Sequence, residues 1–160
     1  MKRISLESTM EVYASVDELS PQDANLLKRA KEAVSDAYAP YSNFRVGAAL
    51  RLKNDKIFIG NNQENAAYPI CLCAERVALF AAASVYPKEP VVSLAVTASS
   101  ASKLLTDPVT PCGSCRQSIS ETEFRFKTPI RLIMQGETGE IYIMNSIKGL
   151  LPLTFNAEFL

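Results

Sequence analysis

The placement of the cysteines limits the possible structures of this chain more than any other feature of its sequence. Among 160 residues there are four cysteines in two close pairs, Cys71 with Cys73 and Cys112 with Cys115. Each pair stands where a helical pattern begins, and helix N-termini favour thiolates. The chain contains no histidine, which excludes imidazole zinc ligands and every Ser-His or Cys-His nucleophile. Chemistry in this chain must therefore use carboxylates, thiolates or a metal.

The composition indicates one domain with no attraction for polyanions. With 48% hydrophobic residues the chain can bury one core, and it is too short for two. Its 17 basic residues balance 17 acidic ones, which disfavours nucleic acids and anionic membranes as partners. The apolar runs are too short to span a bilayer, and residues 1–11 lack the apolar centre of a signal peptide. We expect a cytoplasmic protein whose cysteines are thiols or metal ligands.

The hydrophobic pattern predicts three helices and five strands. Segment 20–23 is a helix start, with a capping serine, a proline and an acid near the positive end, and Pro40 closes that helix. Helices are also predicted over 73–84 and from Thr110-Pro111 to about Glu123, and strands over 46–52, 57–60, 91–98, 130–134 and 141–144. This order predicts an α/β fold, a single three-layer α-β-α domain over residues 20–160 with a mixed five-stranded sheet. Residues 1–19 are predicted to form an irregular or short extended arm.

Cys112-Gly113-Ser114-Cys115 is a Cys-x-x-Cys motif at a predicted helix start. Two sulfurs at this spacing can hold one tetrahedral ion, while the positive end of the helix favours their thiolate forms. The motif is equally compatible with a redox pair or with half of a structural zinc site. It therefore predicts sulfur chemistry without selecting one of these three roles.

Cys73-Ala74-Glu75 supplies a third sulfur and a carboxylate at another predicted helix start. Cys-x-Glu followed by Pro-Cys-x-x-Cys is the pattern typical of zinc deaminases, and Pro111-Cys112 completes it here. Three protein ligands leave the fourth position of a tetrahedral zinc ion open to water. Glu75, which is not a ligand in this pattern, is predicted to move protons between that water, N3 of a pyrimidine and the ammonia that leaves C4.

Three thiolates would leave a zinc centre with a net negative charge, so neighbouring groups must withdraw charge from the sulfurs. The two helix N-termini supply part of this, and Arg76 is predicted to donate hydrogen bonds to a ligand sulfur. The alternative is a solvated surface arginine. A rival hypothesis adds Cys71 as a fourth ligand and makes the site a structural one, in a non-enzymatic interaction module. We interpret Cys71 instead as a small buried hydrophobic residue, since a structural site would not need Glu75.

Several longer stretches resemble the small homotetrameric cytidine deaminases, from about Ser20 to Phe155. They are, in the family's order, Ala39-Pro40-Tyr41-Ser42-Asn43-Phe44, Val46-Gly47-Ala48-Ala49-Leu50, Glu64-Asn65-Ala66-Ala67-Tyr68, Cys73-Ala74-Glu75-Arg76, Pro111-Cys112-Gly113-Ser114-Cys115-Arg116-Gln117 and Leu150-Leu151-Pro152-Leu153. Each alone is weak, but the combination is specific. The resemblance implies a cytidine deaminase-like fold, one zinc ion per subunit, and hydrolytic deamination of free cytidine and deoxycytidine in pyrimidine salvage.

The resemblance also implies the substrate contacts. Asn62 and Glu64 would hydrogen-bond the ribose, chiefly its 3′-hydroxyl, and a carboxylate there suits a free nucleoside because it would repel a 3′-phosphate. Phe44 would pack beside the pyrimidine, and main-chain groups of Ala74 would meet the edge of the base. Gln117 would stand behind the metal ligands.

The family's tetramer builds each site from more than one subunit. The resemblance implies that Tyr68 and Phe155 reach into a neighbour's pocket, where Phe155 covers the base. Two related activities share the metal motif and stay open: deamination of a nucleoside antibiotic such as blasticidin S, and editing of a nucleic acid. The balanced charge disfavours the second.

Overall fold

A six-stranded mixed sheet forms the centre of the molecule in a computed structural model that describes residues 1–160. Its strands are β1 (Glu11–Tyr13), β2 (Phe44–Leu52), β3 (Ile57–Asn61), β4 (Val91–Ser100), β5 (Arg131–Gln135) and β6 (Ile141–Met144). Their order across the sheet is β1-β6-β5-β4-β2-β3. All neighbours are antiparallel except β4 and β5, which are parallel and are therefore joined by a helical crossover.

Three helices cover the two faces of the sheet: α1 (Pro21–Ala33), α2 (Ala74–Val85) and α3 (Gly113–Phe126). Leu26 and Leu27 of α1 pack on one face, while Leu79 of α2 and Ile119 of α3 belong to the core on the other. Successive residues of β4 alternate between these two cores, as the strand period of two requires. The predicted three-layer α-β-α domain is therefore confirmed. None of the helices has the length and apolar character needed to cross a membrane.

Most predicted element boundaries lie within two residues of the observed ones. The Ser20 hydroxyl caps α1 as predicted, accepting a hydrogen bond from the Asp23 N–H at 3.1 Å. The predicted start of α3 at Thr110-Pro111 is wrong, because Cys112 is the capping residue and the helix begins at Gly113. The Thr110 hydroxyl and the Pro111 carbonyl accept hydrogen bonds from Arg116 instead of capping the helix.

The sheet has one strand more than predicted. Residues 1–19 were expected to form an irregular or short extended arm, and Glu11–Tyr13 within them form β1, which pairs with β6. Three residues carry too little alternation for a strand to be recognised from the sequence. The difference is small, and it extends the sheet at the edge opposite β3.

Gly60 in β3 lets the sheet approach the first turn of α2 closely. A Cβ atom at this position would clash with the carbonyl oxygen of Ala74 and would lie 2.7 Å from the Ala78 nitrogen. Only glycine permits this contact without displacing the helix. The start of α2, with the residues that follow Cys73, is therefore fixed against the sheet.

Candidate active site

Three cysteine sulfurs converge at the N-termini of α2 and α3. Cys73 is the capping residue of α2, Cys112 is that of α3, and Cys115 lies in the first turn of α3. Their sulfurs all lie within 4.8 Å of one another, and those of Cys73 and Cys112 are 3.7 Å apart. Cys115 is buried, Cys73 is half-buried and Cys112 is exposed, so this sulfur cluster is open to solvent on one side.

The spacing of the sulfur cluster fits a tetrahedral zinc ion. Zinc–sulfur bonds of about 2.3 Å place two sulfurs of such a site about 3.8 Å apart. The Cys73–Cys112 pair already has this separation, and small side-chain movements bring the third sulfur to it. All three are free thiols, and soft sulfur ligands select zinc among the common divalent ions. The three residues can hold the ion and leave its fourth position open.

Cys71 lies outside the sulfur cluster. Its sulfur accepts a hydrogen bond from the Asn65 N–H at 3.2 Å and lies 3.6 Å from the Asn65 carbonyl oxygen. The interpretation of Cys71 as a buried hydrophobic residue is wrong, because the side chain is only half-buried and both of its contacts are polar. The closed four-sulfur site of the rival hypothesis does not form.

The thiols of Cys73 and Cys115 share a proton unequally. The hydrogen bond from the Cys115 thiol, with smaller contributions from Arg76 and Cys112, lowers the pKa of Cys73 to about 5. The same hydrogen bond and burial raise the pKa of Cys115, which keeps the shared proton. Cys73 is therefore the first thiolate of the cluster and offers an anionic ligand at neutral pH.

Glu75 lies in the first turn of α2, immediately beside the sulfur cluster. Only 4% of its surface is exposed. Burial raises the pKa of its carboxyl group, and the negative charge of Cys73 acts in the same direction. Glu75 is not a member of the cluster of possible metal ligands. It can therefore gain and lose a proton without changing the set of ligands.

Arg76 supports the Cys73 side of the cluster. Its Nη2 donates a hydrogen bond to the Cys71 carbonyl oxygen at 3.1 Å and lies 3.9 Å from the Cys73 sulfur. Its Nε is buried and has no hydrogen-bond partner. This geometry agrees with a donor to a ligand sulfur and disagrees with a solvated surface arginine. Removing charge from a thiolate ligand in this way would strengthen a zinc ion as a Lewis acid.

Glu64 lies in a small open pocket of about 190 Å³, which is lined by Tyr41, Ser42, Glu64, Tyr68 and Cys71. Its Oε2 accepts hydrogen bonds from the Tyr41 N–H at 2.9 Å and the Ser42 N–H at 3.3 Å, and its Oε1 accepts one from the Ser42 hydroxyl. The Ser42 hydroxyl is the main reason that the pKa of Glu64 is lowered. The pocket therefore presents a carboxylate whose orientation is fixed.

Asn62 connects this loop to β2. Its Oδ1 accepts a hydrogen bond from the Val46 N–H at 2.8 Å, and its Nδ2 donates to the Phe44 carbonyl oxygen at 2.9 Å. The structure thus brings two of the expected substrate contacts, Asn62 and Phe44, side by side. The amide of Asn62, however, is engaged by the backbone of β2.

Tyr68 and Phe155 are the two aromatic residues expected to serve a neighbouring subunit. Their exposed fractions are 69% and 59%. Phe155 does not line the pocket of Glu64, but lies on an apolar groove of about 410 Å³ between α2 and α3. Gln117, expected behind the metal ligands, donates a hydrogen bond to the Phe155 carbonyl oxygen at 2.7 Å. Its contact is therefore with the chain end instead of a sulfur.

Two residues that organise the site, Ser42 and Arg116, were not predicted from the sequence. Ser42 holds Glu64, and Arg116 ties the loop before Cys112 to α3 and to Leu150. Both lie in stretches that were singled out above, but their partners are 22 and 34 positions away in the chain. Only the folded structure could show which groups they meet.

Known proteins show the family to which this chain belongs. The family model of the cytidine and deoxycytidylate deaminase zinc-binding region matches residues 20–128. The cytidine deaminase of Halalkalibacterium halodurans is 42% identical over 134 residues, which cover 83% of this chain and 93% of that protein. The crystal structure of cytidine deaminase from Burkholderia pseudomallei has a TM-score of 0.73 and 37% identity, covering 86% of this chain and 100% of that one. This chain belongs to the cytidine and deoxycytidylate deaminase family with its zinc-binding region.

Proposed function

We propose that this protein is a zinc-dependent cytidine deaminase that converts free cytidine and deoxycytidine, with water, to uridine and deoxyuridine plus ammonia. The observation that carries the proposal is the sulfur cluster itself, in which Cys73, Cys112 and Cys115 leave one side open next to the buried, non-ligand Glu75. This is the arrangement that hydrolysis of an exocyclic amine requires. The reaction belongs to pyrimidine salvage.

Glu75 is the proposed proton carrier. A zinc ion held by the three sulfurs would supply Lewis acidity, which lowers the pKa of water in the site. Glu75 takes the proton that the attacking water loses and delivers it to N3 of the ring. It then transfers the second proton of the water to the departing amino group and ends the cycle in its starting state. Its raised pKa suits this task, because a carrier works best when it can hold and release a proton near the working pH.

Glu64 and Ser42 are the proposed ribose anchors. The Ser42 hydroxyl now occupies Glu64 Oε1, and we propose that the 3′-hydroxyl of a nucleoside joins or replaces it. A 3′-phosphate would meet a fixed carboxylate and be repelled, so a polynucleotide is excluded at this position. Phe44 packs beside the base, and Ala74 presents its main chain to the base edge. Asn62, whose amide also ties the ribose loop to β2, stays a proposed contact to the ribose.

We further propose a homotetramer in which neighbouring chains complete each site. The pocket around Glu64 is open and small, and the exposed side chains of Tyr68 and Phe155 are available to a second copy. The apolar groove between α2 and α3 also exposes Phe80, 53% of whose surface faces solvent. Burial of these side chains between subunits would remove an apolar patch from water. Light scattering coupled to size exclusion should give four times the mass of the chain.

The cytoplasm is the proposed location. All four cysteines are free thiols, and three of them must stay reduced to hold a metal ion. Cytosolic glutathione and thioredoxin maintain that state. Oxidation of the sulfur cluster outside such a compartment would remove the ligands.

The deciding experiment incubates the purified protein with cytidine, deoxycytidine and blasticidin S and follows the ultraviolet change of deamination. Zinc per chain is measured on the same sample, and a single-stranded oligonucleotide at two salt concentrations tests for editing. We expect turnover of both nucleosides, one zinc ion per chain and no action on the oligonucleotide. Turnover of blasticidin S alone, or of neither nucleoside by zinc-loaded protein, would overturn the proposal.

A further inference from the structure

The loop that precedes Cys112 has no regular structure of its own. Residues 101–112 contain no helix or strand, and the loop ends in the one exposed sulfur of the cluster. A first anchor holds its early part, where the Leu105 carbonyl accepts hydrogen bonds from the N–H groups of Glu137 and Thr138 at 2.8 and 3.2 Å. The end of the loop needs a second anchor, because the buried Cys115 is fixed by α3 whereas Cys112 only caps that helix.

Arg116 provides the second anchor, and all three nitrogens of its guanidinium group donate hydrogen bonds. Its Nε donates to the Pro111 carbonyl oxygen at 2.8 Å, and its Nη2 donates to the Thr110 hydroxyl at 3.3 Å. Its Nη1 donates to the Leu150 carbonyl oxygen at 3.0 Å. The planar fork of an arginine can satisfy three acceptors in fixed directions, which a lysine ammonium on a flexible stem cannot do equally well.

Gln117, the next residue of α3, holds the other end of the same C-terminal segment. Gln117 Nε2 donates to the Phe155 carbonyl oxygen at 2.7 Å. Two successive side chains of α3 thus fix the C-terminal segment, residues 150–155, at both of its ends. Arg116 differs from Gln117 in that it also holds the residue before Cys112.

We infer that Arg116 is a positioning residue that fixes the loop of residues 101–112 against the C-terminal segment. By holding this loop, it slows the loss of zinc. The inference rests on the proposed function in one respect, namely that Cys112 is a zinc ligand. The guanidinium group of Arg116 donates hydrogen bonds to backbone carbonyl and hydroxyl oxygens and donates none to a sulfur. Arg116 acts on the metal site through its hydrogen bond to the Pro111 carbonyl, next to Cys112. It acts on the C-terminal segment through its hydrogen bond to the Leu150 carbonyl.

The test compares zinc release to an excess of EDTA from the zinc-loaded unmodified protein and from four variants. Removal of a group that orients a metal ligand weakens metal binding by about 10- to 100-fold, so Arg116→Met should release zinc about tenfold faster. Arg116→Lys should fall between this variant and the unmodified protein. Gln117→Ala should keep the unmodified release rate and raise KM for cytidine, because it loses only the contact to the chain end. Arg29→Met, which removes an exposed charge paired with Glu32 on α1, is the matched control. It should change neither the rate of zinc release nor KM for cytidine.

The outcomes separate the inference from the proposed function. Equal release rates in Arg116→Met, Arg116→Lys and the unmodified protein would overturn the inference and leave deamination standing. A zinc-loaded protein that does not deaminate cytidine would overturn the proposed function and leave the release comparison valid. If Arg116→Met does not fold, as judged by circular dichroism, the folded Arg116→Lys variant decides by the same release rate.

Discussion

The sulfur cluster and a second polar cluster are both assembled from distant segments of the chain. They differ in whether their polar groups have partners within the protein. The sulfur cluster is open to solvent through Cys112, and the neighbouring Arg76 keeps a buried Nε without a partner. At the opposite region of the sheet, an edge cluster of Glu11, Asp23, Arg131 and Asn145 pairs its charged groups with one another. The Arg131 Nε lies 3.1 Å from Asp23 Oδ2, and its Nη2 lies 3.0 Å from Glu11 Oε2.

The difference shows how a polar cluster for chemistry can be told from one for stability. In the edge cluster, Asn145 Nδ2 donates to Glu11 Oε1 at 2.9 Å, and the Tyr13 hydroxyl donates to Glu11 Oε2 at 2.9 Å, so both oxygens of this carboxylate have partners within the cluster. In the sulfur cluster, Cys73 and Cys115 share a proton, and the carboxyl group of Glu75 is buried without a cation paired to it. We expect changes at the sulfur cluster to alter turnover and changes at the edge cluster to alter stability.

The substitution Glu75→Gln should give the largest loss of turnover without a loss of stability. Loss of a general acid and base lowers kcat by about 10²–10⁴-fold, and we expect a value near the upper end because one group serves every proton transfer. The zinc content should remain one per chain, since Glu75 is not a ligand. The free energy of unfolding should not fall, because a neutral amide avoids the cost of burying a charge. Retained turnover in the presence of zinc would remove Glu75 from its proposed role.

A smaller effect is expected from Glu64→Gln in the ribose pocket. The amide can no longer accept charge-assisted hydrogen bonds through both oxygens, and we expect kcat/KM for cytidine to fall by about tenfold. Most of the loss should appear in KM, because the contact is remote from the reacting carbon. Steady-state kinetics with cytidine and deoxycytidine provide the measurement, with Glu32→Gln on the exposed face of α1 as the control. A loss confined to kcat would place Glu64 in the chemical step instead.

Each half of the sulfur cluster could be predicted because its information is local, whereas the meeting of the two halves followed from the deaminase motif, since Cys73 and Cys112 are 39 positions apart. Cys73 with Glu75 and Cys112 with Cys115 are separated by two and three positions at helix starts, so one turn of helix fixes their relation. The layer order followed from hydrophobic periodicity for the same reason. The edge cluster could not be predicted, since Glu11 and Arg131 are 120 positions apart and nothing local indicates their pairing. The start of α3 was misplaced because Cys112 caps the helix, while the Thr110 hydroxyl and the Pro111 carbonyl accept hydrogen bonds from Arg116, six and five positions further along the chain.

Arg131→Met tests the edge cluster. The substitution leaves Asp23, which is buried, without its cation, and we expect the free energy of unfolding to fall by about 1–3 kcal/mol. Urea denaturation followed by circular dichroism measures this quantity. The value of kcat per folded, zinc-loaded chain should stay unchanged, because the cluster contacts no residue of the site. A fall in the kcat of fully folded, zinc-loaded protein would show that the edge cluster also affects turnover.

The smallest expected effect concerns pH and Glu11. Its hydrogen bonds with Arg131 lower the pKa of Glu11 from 4.5 to about 2. A carboxyl with a lowered pKa in the folded state stabilises the fold at pH values above its unfolded pKa, and this contribution is lost as the pH falls from about 4.5 to about 2. Glu11→Gln should therefore be less stable than the unmodified protein at pH 6, and the difference should shrink toward pH 3.

The size of that difference should be below about 1 kcal/mol, because an ion pair exposed to this degree is screened by solvent. Acid also protonates the cysteine ligands and releases zinc, which lowers the stability of both proteins. The zinc contribution cancels when the free energies of unfolding of the two proteins are subtracted at each pH, so the remaining slope reports the edge cluster alone. A difference that stays constant from pH 6 to pH 3 would mean that folding does not lower the pKa of Glu11, and that the edge cluster does not depend on its charge.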